Sequence, residues 1–516
     1  MTSSTPPSEY LSTVQPAIQA ALATVLKERP ADPIAALSSI LLAHNEPPTK
    51  KPMSVDPRGL VDTSSESVDP KTAATLTSLI SNPLQFNNLT DLSLKKAGLV
   101  VVPPAIGGCT LVKKLELSLN PALCTLPDEI SNLSSLRILF ALGCSFTHVP
   151  PALSKCPSLY MLSFKSNKLS RIDEGALPAT LEWLILTDNQ LTRLPENLPL
   201  GLRKFMLTNN QLECLPDRIV DCKELELIRL ADNKLTCLPD GMLTMPKLSW
   251  MGLSGNPILE GGDAASELPP PIWISEEELT CHEQIGAGGG GFVHRASWAS
   301  SGGENKPDVA LKIFRGAGTV TDGDPRHEID LGSVLQHENV IRVLGASPEP
   351  RLGLVLELLD TKTRWAELGK PPNFDTCTRD TYPEGTAFKA SAVLRTLRGV
   401  AAACHHLHSK NFTHGDLYAH NTLIESATGE AKVGDFGAAY RYSPLGKGAS
   451  QLIEKIEVRA FGCMAEELLD HLATPVEEAE PLAMELIPLV AQCMQPEVST
   501  RPSFAVIVEM LAAVGA

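Results

Sequence analysis

No stretch of the 516 residues reaches the eighteen or so consecutive apolar side chains that a membrane-spanning helix needs. The chain opens Met1-Thr2-Ser3-Ser4-Thr5-Pro6-Pro7, without a basic segment followed by an apolar one, so no secretory leader is expected. Positive charge is in deficit. Against 60 Asp and Glu stand 44 Lys and Arg, and the resulting net charge of −16 and pI near 5.3 exclude nucleic acid or an anionic membrane surface as a general partner. Metal-type cysteine pairs are missing too: the twelve Cys are scattered with no Cys-x-x-Cys, and several, such as Cys144, fall at apolar positions. They read as reduced, packed thiols, for which a cytoplasmic compartment is expected. A chain this long exceeds one hydrophobic core, and its motifs divide it into three domains.

In the first division, residues 8–46, Leu11, Val14, Ile18, Leu22 and Val25 recur at helical spacing. Arg29-Pro30-Ala31-Asp32-Pro33 then breaks the helix, and Asp32 caps a second one lined by Ile34, Leu37, Ile40 and Leu41. So short a helical hairpin cannot bury these faces alone, which predicts packing on a second copy, a neighbouring domain or a partner. Tyr10-Leu11, Arg29-Pro30, Asp32-Pro33-Ile34 and Leu41-Leu42 resemble the dumpy-type (Dpy) docking and dimerisation motif. That resemblance implies a homodimeric four-helix bundle with a groove for a partner helix; a helical cap over the first repeat is the alternative. Residues 47–80, rich in Pro, Ser, Asp and Lys, read as a flexible linker.

Residues 81–260 repeat Leu-x-x-Leu-x-Leu-x-x-Asn-x-Leu about eight times, every 21 to 24 residues, as in Leu181-Glu182-Trp183-Leu184-Ile185-Leu186-Thr187-Asp188-Asn189-Gln190-Leu191. This is the leucine-rich-repeat pattern and predicts an α/β solenoid in which Asn167, Asn189, Asn210, Asn233 and Asn256 serve the turns. Strand positions between the leucines face the concave side. There Ile138, Phe140, Met161, Trp183, Ile185, Met206, Leu227 and Trp250 make an apolar strip where polar residues are the norm. The strip predicts a buried contact, either with a protein partner or with this chain's own helices or third domain.

After a linker at 261–272, residues 273–516 carry an ordered set of motifs. Ile285-Gly286-Ala287-Gly288-Gly289-Gly290-Gly291-Phe292-Val293 can bring backbone amides close to phosphates, and Val309-Ala310-Leu311-Lys312 follows it. Glu328 lies nine residues before His337-Glu338-Asn339; then come Leu354-Val355-Leu356-Glu357-Leu358, His414-Gly415-Asp416-Leu417-Tyr418-Ala419-His420-Asn421 and Asp435-Phe436-Gly437. Together these resemble a eukaryotic-type protein kinase of the tyrosine-kinase-like and tyrosine-kinase groups, an α+β bilobal fold. The resemblance implies ATP and Mg²⁺. It places Ile285, Gly286, Gly288, Gly291, Val293 and Ala310 around the nucleotide, with Leu356 as gatekeeper and Glu357 to Leu359 at the adenine. Lys312 would hold the α and β phosphates and pair with Glu328, Asp416 would orient the acceptor hydroxyl and take its proton, and Asn421 and Asp435 would hold the metal. The expected activity is transfer of the γ-phosphoryl group to protein hydroxyls, serine or threonine before tyrosine.

Several letters depart from that pattern. Gly415 replaces an Arg used in loop phosphorylation control, and Tyr418 stands where serine/threonine kinases carry a Lys that touches the γ-phosphate. No Ala-Pro-Glu lies between Gly437 and the Glu457-Val458-Arg459-Ala460-Phe461-Gly462 helix, so Arg501 is expected to lack its Glu partner. Gly332 sits where a bulky spine residue belongs, leaving a space to be filled from elsewhere. These losses keep two other readings open, a nucleotide-binding pseudokinase scaffold and a kinase that phosphorylates only itself. The His405-His406-His408 cluster reads as packing and surface on the helix before the catalytic loop.

Overall fold

A computed structural model of the chain describes residues 69–81, 86, 88–260, 269–288, 290–299, 307–315, 323–332, 334–473 and 476–514. The helices expected over 8–46 lie outside them. Within the stretch expected to be linker, helix α1 (Pro70–Ser81) is a correction. Asp69 caps it by accepting from the Thr72 amide at 3.3 Å, while Leu76 and Leu79 are buried. Those two leucines, three residues apart, share one face of the helix, and a polar composition around them hid the signal. The helix packs on the first convex turn, Pro104–Gly108, and so closes the end of the solenoid.

Eight parallel three-residue strands form the concave sheet: β1 (Asp91–Ser93), β2 (Lys114–Glu116), β3 (Ile138–Phe140), β4 (Met161–Ser163), β5 (Trp183–Ile185), β6 (Lys204–Met206), β7 (Leu227–Arg229) and β8 (Trp250–Gly252). Each central residue points into the coil, where leucines fill the interior with no exposure. At the turns, asparagine side chains replace backbone partners. The Asn189 amide nitrogen, for example, donates to Phe164 and Leu186 carbonyls at 2.9 Å, and its oxygen accepts from the Leu169 amide at 2.9 Å. Asn120 does the same service at the start of the array. In the next coil Cys144 takes the place, its thiol donating to the Leu117 carbonyl at 3.5 Å, and burial pushes that thiol up to about 11.

The third domain has two lobes. The upper sheet runs β9 (Leu279–Ala287), β10 (Gly291–Trp298), β11 (Val309–Phe314), β12 (Val343–Ser347) and β13 (Gly353–Glu357), in the order β12-β13-β11-β10-β9, with helix α2 (Pro325–Gly332) beside it. Gly332 does not leave a gap. A Cβ there would lie 2.9 Å from both Val343 methyls, so Val343 from strand β12 already fills the space that the missing side chain vacates. The lower lobe is helical: α3 (Ala390–Ser409), α4 (Lys447–Asp470), α5 (Val476–Cys493) and α6 (Phe504–Ala513), with α3 packed on α6 and α4 on α5.

The apolar strip is occupied by this third domain, which corrects the expectation of an outside partner on Ile138, Phe140, Trp183, Ile185, Met206 and Trp250. Strand register aligns two rows across the face, 138-161-183-204-227-250 and 140-163-185-206-229-252. Phe374 packs against Phe140 and Trp183 with ring centroids 5.9 and 6.2 Å apart, and Cys377 is buried with Met161 and Trp183. Met206, Leu227 and Trp250 join the core of the lower lobe itself, and Trp250 lies flat on Tyr418 at 4.4 Å. An apolar strip in sequence announces burial but not the occupant. Replacing Trp250 by Ala should destabilise the repeats and the lower lobe together by about 3–4 kcal/mol, read as one shifted urea transition by both tryptophan fluorescence and circular dichroism; separate transitions with an unchanged lower lobe would contradict the shared core.

Candidate active site

Tight backbone approach shapes one end of the cleft. Gly288 donates to the Gly291 carbonyl at 3.0 Å in the turn between β9 and β10, and a Cβ on Gly291 would come within 2.2 Å of the Ile313 carbonyl oxygen. Opposite that turn, strand β11 presents Lys312. Its Nζ donates to both Glu328 oxygens at 2.8 and 3.0 Å and to Asp435 Oδ1 at 2.8 Å. Burial works against the ammonium charge, but Asp435 and Glu328 together hold Lys312 above its ordinary value, and Lys312 in turn holds Asp435 below the usual carboxylate range.

The lower rim is built by a hairpin, Thr422–Glu425 against Ala431–Val433. Gly434 donates to the Asn421 carbonyl at 2.9 Å, which sets Asn421 and Asp435 side by side at the open end. Asn421 donates through Nδ2 to Asp416, at 2.9 Å to the carbonyl and 3.0 Å to Oδ2. Its amide oxygen is thereby left for another electrophile. Beneath the loop, buried Glu457 accepts from Gly415 N at 2.9 Å and Thr413 Oγ1 at 2.7 Å, and lies 2.7 Å from His408 Nε2. His408 is thus a packing residue, and among the described residues no group of three or more His, Cys, Asp or Glu gathers at the histidines or elsewhere in an arrangement that could hold a metal.

Ile285, Gly286, Gly288, Gly291, Val293, Ala310, Lys312, Glu328, Leu356, Glu357, Leu359, Asp416, Asn421 and Asp435 all line one cavity of about 580 Å³, a size suited to a nucleotide. Four repeat residues line it as well: Lys204, Met206, Leu227 and Arg229. Met206 and Leu227 belong to the strip already noted, whereas Arg229 went unremarked in the sequence. Its only signal there is a charged residue at an outward position between Met206 and Trp250.

Arg229, 3 % exposed, donates through Nη1 to the Gly415 carbonyl at 2.9 Å and through Nη2 to Asp416 Oδ1. Gly415 has φ +70°, and a Cβ there would meet the Ala438 carbonyl at 2.5 Å and the Met251 carbonyl at 2.9 Å. A side chain at 415 would therefore have to displace both the segment after Asp-Phe-Gly and the last strand of the solenoid. Trp250 Nε1 donates to the Leu417 carbonyl at 2.8 Å. Arg459 reaches the Lys247 carbonyl and Ser249 Oγ, at 3.0 and 2.6 Å. Arg501, expected to lack its Glu partner, donates to three carbonyls, Gln495 at 2.9 Å, Lys455 at 3.0 Å and Pro246 of the repeats at 2.7 Å. The solenoid also touches the upper lobe. A Cβ on Gly323, just before α2, would lie 3.1 Å from Ala231 Cβ and from Ser254 Oγ.

The segment that carries Phe374 is tied to the same loop: Asp380 accepts from His420 N at 2.9 Å, and its Oδ1 lies 2.7 Å from His420 Nδ1. Burial disfavours the imidazolium, yet the hydrogen bond and charge of Asp380 outweigh it and hold His420 above its ordinary value. With the folded value raised, this pair stabilises the loop fully below about pH 6.5 and loses that contribution as pH rises through the folded value. Asp380→Asn should lower the His420 titration midpoint in NMR and flatten the fall of melting temperature above neutral pH; an unchanged midpoint would contradict the pairing.

Residues 279–471 match the family model for protein tyrosine and serine/threonine kinases, and residues 200–258 match that for the leucine rich repeat. Myosin light chain kinase 3 of Homo sapiens is 32% identical over 172 residues, 33% of this chain and 19% of its own length. Tyrosine-protein kinase Shark of Drosophila melanogaster is 28% identical over 178 residues, 34% of this chain and 17% of its own. The probable serine/threonine-protein kinase roco7 of Dictyostelium discoideum is 28% identical over 233 residues, 40% and 8%. The chain spans a fifth or less of the length of these relatives. A solved leucine-rich-repeat protein of Leptospira interrogans is 31% identical with a TM-score of 0.33, over 34% of this chain and 46% of that one. The chain therefore carries a protein kinase domain joined to leucine-rich repeats, with both serine/threonine and tyrosine kinases among its relatives.

Proposed function

We propose that the chain is an ATP- and Mg²⁺-dependent protein kinase that transfers the γ-phosphoryl group to protein hydroxyls, those of serine or threonine in preference to tyrosine. One observation carries the reading: Lys312 is bonded at once to Glu328 and Asp435, in the cavity that also holds Asp416 and Asn421. Phosphoryl transfer asks for positioned charge more than for covalent chemistry, and these are the charges it asks for.

The donor set fits a hard cation. Asp435 has a second carboxylate oxygen free of Lys312, and Asn421 turns its amide oxygen away from Asp416, so both can serve Mg²⁺ as oxygen ligands. Bound there, the metal would neutralise charge on the nucleotide phosphates. Gly286, Gly288 and Gly291 let backbone amides approach those phosphates, and Lys312 balances their α and β charge. Leu356 and the backbone of Glu357 to Leu359 would flank the adenine. Asp416 orients the acceptor hydroxyl and receives its proton. Dimerisation or docking through residues 8–46, and residence in the cytoplasm, complete the proposal.

Incubation with γ-labelled ATP and Mg²⁺ tests it. Label should appear in protein with the wild type and fall by about a hundredfold or more in Asp416→Asn, while nucleotide binding persists. Equal incorporation by the two would favour the scaffold reading instead.

A further inference from the structure

The catalytic loop has no cation of its own at the residue two after Asp416. Tyr418 stands there, stacked on Trp250, and its ring cannot offset the charge of a γ-phosphoryl group in flight. Yet the cavity is not short of positive charge beside Asp416. The guanidinium of Arg229 enters from strand β7 of the solenoid and bonds to Asp416 Oδ1 and to the Gly415 carbonyl.

We propose that Arg229 is a positioning residue of the kinase reaction, so that the repeat domain completes the active site by supplying beside Asp416 the cation that Tyr418 cannot. The inference rests on the kinase reading above. Asn421 holds Oδ2 and Arg229 holds Oδ1, so the Asp416 carboxylate has one orientation. Each oxygen keeps a second lone pair, and Asp416 is 19 % exposed toward the cavity, which leaves it able to accept from a hydroxyl. In the transfer, the acceptor oxygen forms a bond to the γ-phosphorus and gives its proton to Asp416. The bond from that phosphorus to the β–γ bridging oxygen breaks, and its electron pair leaves with ADP. Negative charge on the equatorial oxygens then develops next to a preorganised guanidinium, the arrangement that lowers such barriers most.

Three further observations separate this role from that of a lid. The Lys312–Glu328 pair is closed while the solenoid is seated. The cavity keeps about 580 Å³ with Arg229 in its wall, room for a nucleotide. And the seat is built for permanent contact: Gly415 and Gly252 give up side chains to it, and Arg459 and Arg501 of the kinase domain spend hydrogen bonds on repeat carbonyls.

The test uses the full chain with γ-labelled ATP and Mg²⁺, measuring label transferred to protein and orthophosphate released. The set is wild type, Arg229→Ala, Arg229→Gln, Arg229→Lys and Asp416→Asn, each with its melting temperature. Arg229→Ala and Arg229→Gln should lose about a hundredfold in kcat with KM for ATP changed less than about threefold. Arg229→Lys should recover at least about a tenth of the wild-type rate, and methylguanidinium should partly restore Arg229→Ala, a rescue that a purely structural role would not give. Arg229→Gln keeps a hydrogen-bonding head on a shorter stem and Arg229→Lys keeps the charge, so the pair reports on charge even where the Ala variant unfolds. A faster Arg229→Gln enzyme would overturn the proposal in favour of a lock on Asp416. An unchanged rate, with Asp416→Asn inactive, would overturn Arg229 alone. Wild type equal to Asp416→Asn would bring down the kinase reading and this role with it.

Discussion

Backbone held against backbone is the constraint on which the rest depends. The Met251 carbonyl of the last strand stands 2.9 Å from where a Cβ on residue 415 would be, and Gly252 lies over Ala438 on the far side of the same loop. Only glycine permits a side-chain-free approach with φ +70° at that spot. From that approach follows the reach of Arg229 to Asp416, the stacking of Trp250 on Tyr418 and the bond from Trp250 to the Leu417 carbonyl. Move the strand outward by a methyl group and all three contacts lengthen together.

The departures of the lower lobe form one set. The missing Ala-Pro-Glu leaves Arg501 without a carboxylate, and Pro246 of the repeats supplies a carbonyl. The short segment after Gly437 goes straight into pairing of Tyr440 with Thr413, then into α4 at Lys447, and the final repeats occupy the face beside it. Gly332 belongs to a different set, since Val343 answers it within the upper lobe. The buried ion pair of Arg229 and Asp416 is costly to desolvate, and it is repaid only because Gly415 and Asn421 satisfy the remaining donor and acceptor capacity.

Much of this was legible in the sequence because it depends on local spacing. Glycine turns, a lysine on a strand and an aspartate before Phe-Gly each report a backbone requirement that a few residues satisfy, and all fourteen residues expected at the site converge on one cavity. The repeat period fixed which residues face outward in the same manner. What could not be read is pairing across long separations: Arg229 with Asp416, Arg501 with Pro246, Phe374 with Trp183. An apolar strip states that water is excluded and is silent on which surface excludes it. Helix α1 escaped for another reason, since two buried leucines among Thr, Ser and Lys make too weak a periodic signal to outweigh composition.

Gly415 also bears on how such a chain can change over generations. Recombination that placed an ordinary kinase domain behind these repeats would bring a side chain at this position, and the two folded parts would then exclude each other from the seat. A substitution within the chain meets the same obstacle, because a change at 415 acts on the repeats as well as on the loop that carries it. The solenoid and the catalytic loop therefore constrain position 415 together, across a boundary that divides the domains by fold.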